Sequence, residues 1–238
     1  MGRAVTGRSA PAPVDLGLVA ARVARARQRI ADVAPDPGRV TLVAVTKGFG
    51  ADAVRAAVAA GVPDVGENYG QELVAKATDP DVAAIGLRWH LLGAIQRNKV
   101  ARLSPHVACW QSVARPEEAR AIARHSPGAR MLVQVETTGL AGRNGCRPGD
   151  VAGVVEAASL AGLDVVGLMT VAPPGPDVAR AAFAVVARLA DDLGLPERSM
   201  GMSDDFEIAL EAGSTIVRLG RSLFGERPPR RAGPGVSA

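Results

Sequence analysis

Aromatic residues are scarce: four Phe, two Trp and one Tyr make up 3% of 238 residues. Proteins that hold single-stranded nucleic acid stack bases on exposed rings, and so few rings leave no such platform. The formal net charge of +4 is small for a polyanion binder, although the sequence pI is about 9.7. Part of that excess lies in Arg227, Arg230 and Arg231 near the end. No nucleic-acid partner is expected. Cysteine is also rare. Cys109 and Cys146 are the only two, without CxxC or metal-like spacing, so neither a disulfide framework nor a thiolate metal site is expected. No apolar h-region follows the start, where MGRAVTGRSAPAP is polar and proline-containing. The longest apolar runs are interrupted by Arg, Asp or Gly well short of the ~20 residues a membrane helix needs. The expectation is a soluble, cytoplasmic monomer that does not engage membranes.

What the chain has in quantity is aliphatic. Hydrophobic residues reach 47%, enough for a large core built from Ala, Val, Leu and Ile. Residues 1–13 and 226–238 are rich in Gly, Pro, Ser and Arg and read as disordered tails. No similar linker lies between them, so one domain is expected over 14–225. Within it, short apolar runs read as buried strands: VTLVAVT (40–46), DVGE (64–67), LRWHLLG (87–93), HVACWQS (106–112), RMLVQVE (130–136), DVVGLMT (164–170), RSMGMS (198–203) and STIVRLG (214–220). An amphipathic segment from Asp15 to about Ala34 precedes the first. Ala-rich helical segments begin near Ala51, Tyr69, Gln96, Pro116, Pro148, Asp177 and Asp204. Proline suits a first helical turn, where its missing N–H is no loss. Eight such alternations predict a (β/α)8 TIM barrel in a single domain, with a doubly wound open sheet as the other arrangement.

Polar residues and glycines gather at the C-terminal ends of these strands, the face where barrels keep their active sites. Lys47 follows VAVT directly. Asn68 follows the second strand, and His90 lies late in the third. Ser203 ends the seventh, and Arg218, Gly220 and Arg221 end the eighth. A lysine at the end of an interior strand loses solvation, which favours the nucleophilic neutral amine. The plainer reading is a lysine that reaches to the rim or pairs with Glu67. The SMGMS (199–203) and RLGRS (218–222) segments suit a phosphate, held by backbone N–H groups and by the hydroxyls of Ser203 and Ser222. Arg218, between Val217 and Leu219, must find a partner if buried. A carboxylate such as Glu136 or Glu67 is one choice, and a phosphate or heterocyclic nitrogen is the other. His90 has no second His or Cys at ligand spacing, so no metal is expected.

Six blocks carry a resemblance to a known family: LVAVTK (42–47), VGENYGQE (65–72), WHLLGAIQRNK (89–99), GLMTVAP (167–173), SMGMSDDFEIALEAGST (199–215) and VRLGRSLFG (217–225). Together they resemble the pyridoxal phosphate (PLP) homeostasis proteins. The resemblance implies a barrel like the N-terminal domain of alanine racemase, a fold-type-III-like PLP protein. It implies PLP on Lys47 as an internal aldimine. It implies a phosphate held by Ser203 and the backbone of Gly220 and Arg221, and Arg218 beside the pyridine nitrogen. Asn68, His90 and Met200 match motif positions around the cofactor. Two segments depart from the family pattern. The loop TTGLAGRNGC (137–146) lacks the usual Lys-rich or Ser-rich composition, and Gln111 stands where histidine is common.

An arginine at the ring nitrogen disfavours its protonation and makes the ring a poorer electron sink. A racemase of this fold would also need a second base, and Tyr69 is the only tyrosine. The expected function is therefore a carrier that takes part in PLP homeostasis and hands the cofactor to PLP-dependent apoenzymes, with no catalytic residues of its own. A small racemase-like PLP enzyme is the alternative, and a Schiff-base aldolase-type barrel without PLP is a third. An exposed second lysine, Lys76 or Lys99, is expected to assist release of the cofactor.

Overall fold

The computed structural model describes residues 14–140 and 142–226. The expected tails at 1–13 and 226–238 lie outside the described residues, save Glu226. Eight parallel strands close into a barrel in strict chain order: β1 (Thr41–Val45), β2 (Asp64–Glu67), β3 (Arg88–Leu91), β4 (Val107–Val113), β5 (Arg130–Gln134), β6 (Asp164–Met169), β7 (Glu197–Ser199) and β8 (Ile216–Leu219). Closure is made by β1 against β8, with Thr41 opposite Ile216 and Val43 opposite Arg218. The open-sheet alternative is thereby excluded. Parallel strands covered on both faces need no polar alternation, which is why these segments read as continuous apolar runs.

The helices are α1 (Leu16–Val33), α2 (Ala51–Ala59), α3 (Gly70–Ala77), α4 (Pro80–Ala83), α5 (Val100–Leu103), α6 (Pro116–His125), α7 (Val151–Leu160), α8 (Pro176–Asp192), α9 (Phe206–Glu211) and α10 (Arg221–Phe224). The Asp15 carboxylate accepts from the Leu18 N–H at 3.0 Å and starts α1. Its buried stripe, Val19, Val23, Ala26 and Ile30, recurs at helical spacing and lies against α2, α9 and α10. Since α10 is only one turn long, α1 completes the outer ring between the first and last strands. Pro116 opens α6 as expected. After Pro148 the first turn is a 3₁₀ turn, and the α-helix proper begins at Val151. The segment after Gln96 also differs from expectation: a 3₁₀ turn at Arg97–Lys99 leads into the single turn of α5.

The strand expected over 198–203 is three residues long and ends at Ser199. Gly201 explains the early stop. Its φ of +91° is open to glycine, and a Cβ there would lie 2.7 Å from the Ala209 Cβ. The chain turns out of the sheet at that point and carries Met202 and Ser203 to the barrel mouth. Apolar packing falls into three parts. Two clusters fill the shell between sheet and helices, and a small one inside the barrel comprises Val43, Cys109, Leu132, Val166, Met169 and Ile216. Burial pushes the Cys109 thiol up to about 12 and the Cys146 thiol up to about 11, so both behave as small apolar side chains. Among the described residues no helix is long and apolar enough to cross a membrane.

Candidate functional site

The C-terminal strand ends surround a cavity of about 500 Å³. Its wall includes Lys47, Asn68, Ser203, Arg218, Gly220 and Arg221, six of the eight residues singled out from the sequence. They come from the ends of β1, β2, β7 and β8 and meet only because the barrel closes. Lys47 is the second residue past β1 and is half-buried.

The plainer reading offered Glu67 as a partner for Lys47, and Glu67 is bound to Thr46 and Lys76. Glu67, fully buried, accepts through Oε1 from the Thr46 hydroxyl at 2.6 Å and from Lys76 Nζ. Lys76 Nζ also donates to the Thr46 carbonyl at 2.8 Å. Burial raises the Glu67 carboxyl above its usual range, and Lys76 only partly offsets it. Glu67 Oε2 has no hydrogen-bond partner. Lys76 therefore braces the backbone just before Lys47 from inside the protein. This corrects the expectation of an exposed second lysine for Lys76, which is 7% exposed. Lys99 closes the 3₁₀ turn, half-buried, and is not part of the cavity wall.

Asn68 is seated by Gly93. A Cβ at Gly93 would lie 1.8 Å from the Asn68 carbonyl oxygen, so only glycine lets the two mouth segments touch. On the opposite side, Ser203 Oγ and Ser222 Oγ lie 3.2 Å apart, and the Ser222 N–H donates to Ser203 Oγ at 3.2 Å. The neighbouring Met202 N–H donates to the Asp205 carboxylate at 2.6 Å. Arg221 is exposed and ion-paired with Asp204.

Arg218 is 4% exposed. Neither Glu136 nor Glu67 is its partner. It donates to Ser199 Oγ at 2.6 Å and to the Thr170 carbonyl at 2.7 Å, both neutral. Burial pushes the guanidinium down to about 10, opposed by the Asp205 charge, so it stays cationic at neutral pH. Asp205 is raised by its own burial, with the Met202 amide and Arg218 working against that.

His90 and Met200 are not part of the cavity wall. Met200 is fully buried in the shell between sheet and helices. His90 points into the barrel, with Nε2 2.9 Å from Asp64 Oδ1 and Nδ1 2.7 Å from Gln111 Nε2. Both its ring nitrogens are committed, which removes it from direct contact with a ligand in the cavity. The sequence reading missed Gln134, Asn144 and Arg143, which do line the wall. Asn144 Nδ2 donates to Gln134 Oε1 at 2.6 Å and to the Ser112 carbonyl at 3.3 Å. The departing loop at 137–146 thus builds part of the mouth. A polar Gln134 directly after the apolar run Met131, Leu132 and Val133 was the available signal.

Acid–base groups in the wall are tied down. Glu136 accepts from the N–H groups of Thr138 and Gly139 at 2.6 and 2.9 Å. Burial would raise its carboxyl, but the Thr138 and Gly139 donors hold it below the usual range. Asp204 is paired with Arg221. Tyr69, which is 46% exposed, is not part of the wall. Among the described residues no group of three or more His, Cys, Asp or Glu is arranged to hold a metal.

The alanine racemase N-terminal domain family matches residues 14–228. The chain is similar to the pyridoxal phosphate homeostasis protein of Deinococcus radiodurans, 42% identical over 213 residues that cover 87% of this chain and 99% of that protein. It is also similar to the Pseudomonas aeruginosa protein of the same name, 39% identical over 227 residues, 89% of this chain and 97% of that one. Among solved structures, PipY of Synechococcus elongatus with PLP bound is 32% identical at a TM-score of 0.74, covering 87% of this chain and 100% of that one. With a closed barrel of this topology and these matches along nearly its whole length, the chain belongs to the pyridoxal phosphate homeostasis protein family.

Proposed function

We propose that this protein binds PLP in the cavity at the barrel mouth and serves intracellular PLP homeostasis as a carrier that hands the cofactor to PLP-dependent apoenzymes. The observation that carries the reading is a buried, permanently charged Arg218 held by neutral acceptors in the same wall as Lys47 and Ser203, with Ser222 hydrogen-bonded to Ser203. A cofactor with an aldehyde, a phosphate and a ring nitrogen matches that set, and a cavity of about 500 Å³ is of suitable size.

PLP supplies an electrophilic aldehyde and a ring that can accept electrons. Lys47 Nζ is the amine that would hold the aldehyde carbon. The hydroxyls of Ser203 and Ser222, with the backbone N–H groups of Gly220 and Arg221, receive the phosphate. A Cβ at Gly220 would press to 3.3 Å on the Val45 carbonyl oxygen, so the position has little room for a side chain. Arg218 would lie by the ring nitrogen, where its charge would disfavour a proton on that atom. Asn68, just past β2, would reach the cofactor, while His90 and Met200 lie behind the wall.

With Glu136 and Asp204 engaged in local bonds, the wall orients the cofactor but offers little to move a substrate proton. This favours carrier over catalyst. The racemase-like alternative draws on the family match to the alanine racemase N-terminal domain. Amino-acid turnover by the purified yellow protein, set beside PLP transfer to an apoenzyme, separates the two. Transfer without turnover is expected. Robust racemisation that disappears in Lys47→Ala would overturn the carrier reading.

A further inference from the structure

A line of hydrogen-bonded side chains crosses the barrel interior, one residue from each of five strands. Arg218 (β8) donates to Ser199 Oγ (β7) at 2.6 Å, and Ser199 Oγ donates to Gln111 Oε1 (β4) at 2.6 Å. Gln111 Nε2 meets His90 Nδ1 (β3) at 2.7 Å, and His90 Nε2 meets Asp64 Oδ1 (β2) at 2.9 Å. Arg88 grips both oxygens of Asp64 from the opposite end. The five linked residues are at most 6% exposed.

The direction of this line is fixed at one end. A guanidinium only donates, so Ser199 Oγ accepts from Arg218, and with Gln111 Oε1 2.6 Å away the hydroxyl proton goes there. That turns the Gln111 amide nitrogen toward His90, whose Nδ1 must accept. The imidazole is then neutral, with its proton on Nε2 and donated to the Asp64 carboxylate. Asp64, gripped by Arg88, can only accept, so His90 Nε2 must carry the proton. A one-way chain polarises each member in the same sense. The Asp64 charge is thereby felt at a cation whose direct partners are neutral.

We propose that Ser199, Gln111 and His90 are positioning residues that lock the Arg218 guanidinium in the cavity through this one-way relay to Asp64, with His90 held as the Nε2–H tautomer. The role toward the cofactor rests on the reading that Arg218 faces the PLP ring nitrogen, whereas the direction of the relay does not. In that role the relay sets where the positive charge lies relative to the ring.

Two measurements test it. Long-range ¹H–¹⁵N NMR of the full chain without PLP reads the His90 ring. The wild type should show a neutral ring protonated on Nε2. Gln111→Glu, which can only accept, should show both ring nitrogens protonated at neutral pH. PLP titration followed by visible absorbance reads the second part. Gln111→Met and Ser199→Ala, each checked for a cooperative melt, should bind PLP roughly tenfold or more weakly, the scale of a lost hydrogen bond to a charged group. They should also shift the wild-type absorbance maximum, which a merely structural loss would not do. An Nδ1–H tautomer in the wild type would overturn the relay. So would wild-type affinity and spectrum in both variants. A wild-type chain that takes up no PLP would end the cofactor reading instead, and the NMR result would still decide the relay.

Discussion

Replacing Lys76 with methionine should destabilise the fold far more than its place on a short outer helix suggests. The side chains of Lys76 and Glu67 are 8% and 0% exposed, so the substitution leaves a buried carboxylate with only the Thr46 hydroxyl for company. Breaking a buried pair from one side costs about 3–5 kcal/mol, whereas an exposed pair is worth about 0–1. For a domain of this size that corresponds to a fall in melting temperature of about 6–20 °C. Thermal and urea unfolding measure it. Removing both charges in Lys76→Met/Glu67→Gln should recover most of the loss, because an uncharged pair carries no uncompensated ion. The pH dependence has a definite sign. The folded Glu67 carboxyl is raised above its ordinary 4.5, so the native state holds the proton more tightly than the unfolded state. Its contribution to stability is fully present below about 4.5 and is lost as pH rises through the folded value. The deficit of the single variant should therefore shrink on acidification. A loss under about 1 kcal/mol would refute the reasoning, since that is the size of an exposed pair. Equal losses in single and double variants would do the same.

Other perturbations follow from the same geometry. Gly93→Ala drives a methyl into the Asn68 carbonyl, so Asn68 must move, and PLP affinity measured by absorbance titration should fall while the fold persists. Burial alone would raise the Asp64 carboxyl, but His90 and Arg88 outweigh it and hold it below its usual 3.8. Stability from Asp64 is present above that value and lost as pH falls through the folded one, so the wild type should lose stability in acid more steeply than Asp64→Asn. Arg218→Met should bind PLP weakly and alter its spectrum. It should cost less stability than Lys76→Met, because its direct partners are neutral and Asp205 keeps the Met202 amide donor. Circular-dichroism melts of the two variants side by side check that order.

The barrel was legible because parallel strands buried on both faces leave unbroken apolar runs, and because glycine and proline mark the turns. Of the expected site residues, Lys47, Asn68, Ser203 and Arg218 sit at strand ends and line one cavity. Two kinds of feature were not legible. Buried pairing depends on which side chains the closed barrel brings face to face, so nothing local showed that Glu67 meets Lys76. The relay through Gln111 and Ser199 joins positions 88 residues apart. Each looks in isolation like an ordinary polar interruption of a strand. His90 was drawn toward the cofactor by its place late in β3, but the register that sets Gly66 opposite His90 turns its ring to Asp64 and the interior. The strand at 198–203 was drawn too long because Met200 and Met202 look extended, while Gly201 turns the backbone between them.

The central claim is that Lys47 carries the cofactor. Borohydride reduction of the PLP-loaded protein followed by tryptic mapping tests it directly. A label on Lys47 blocks cleavage there, so the modified peptide should run from Val40 to Arg55 and lose its label in Lys47→Ala. Label on the peptide bearing Lys76 or Lys99, the other two lysines in the chain, would contradict the account.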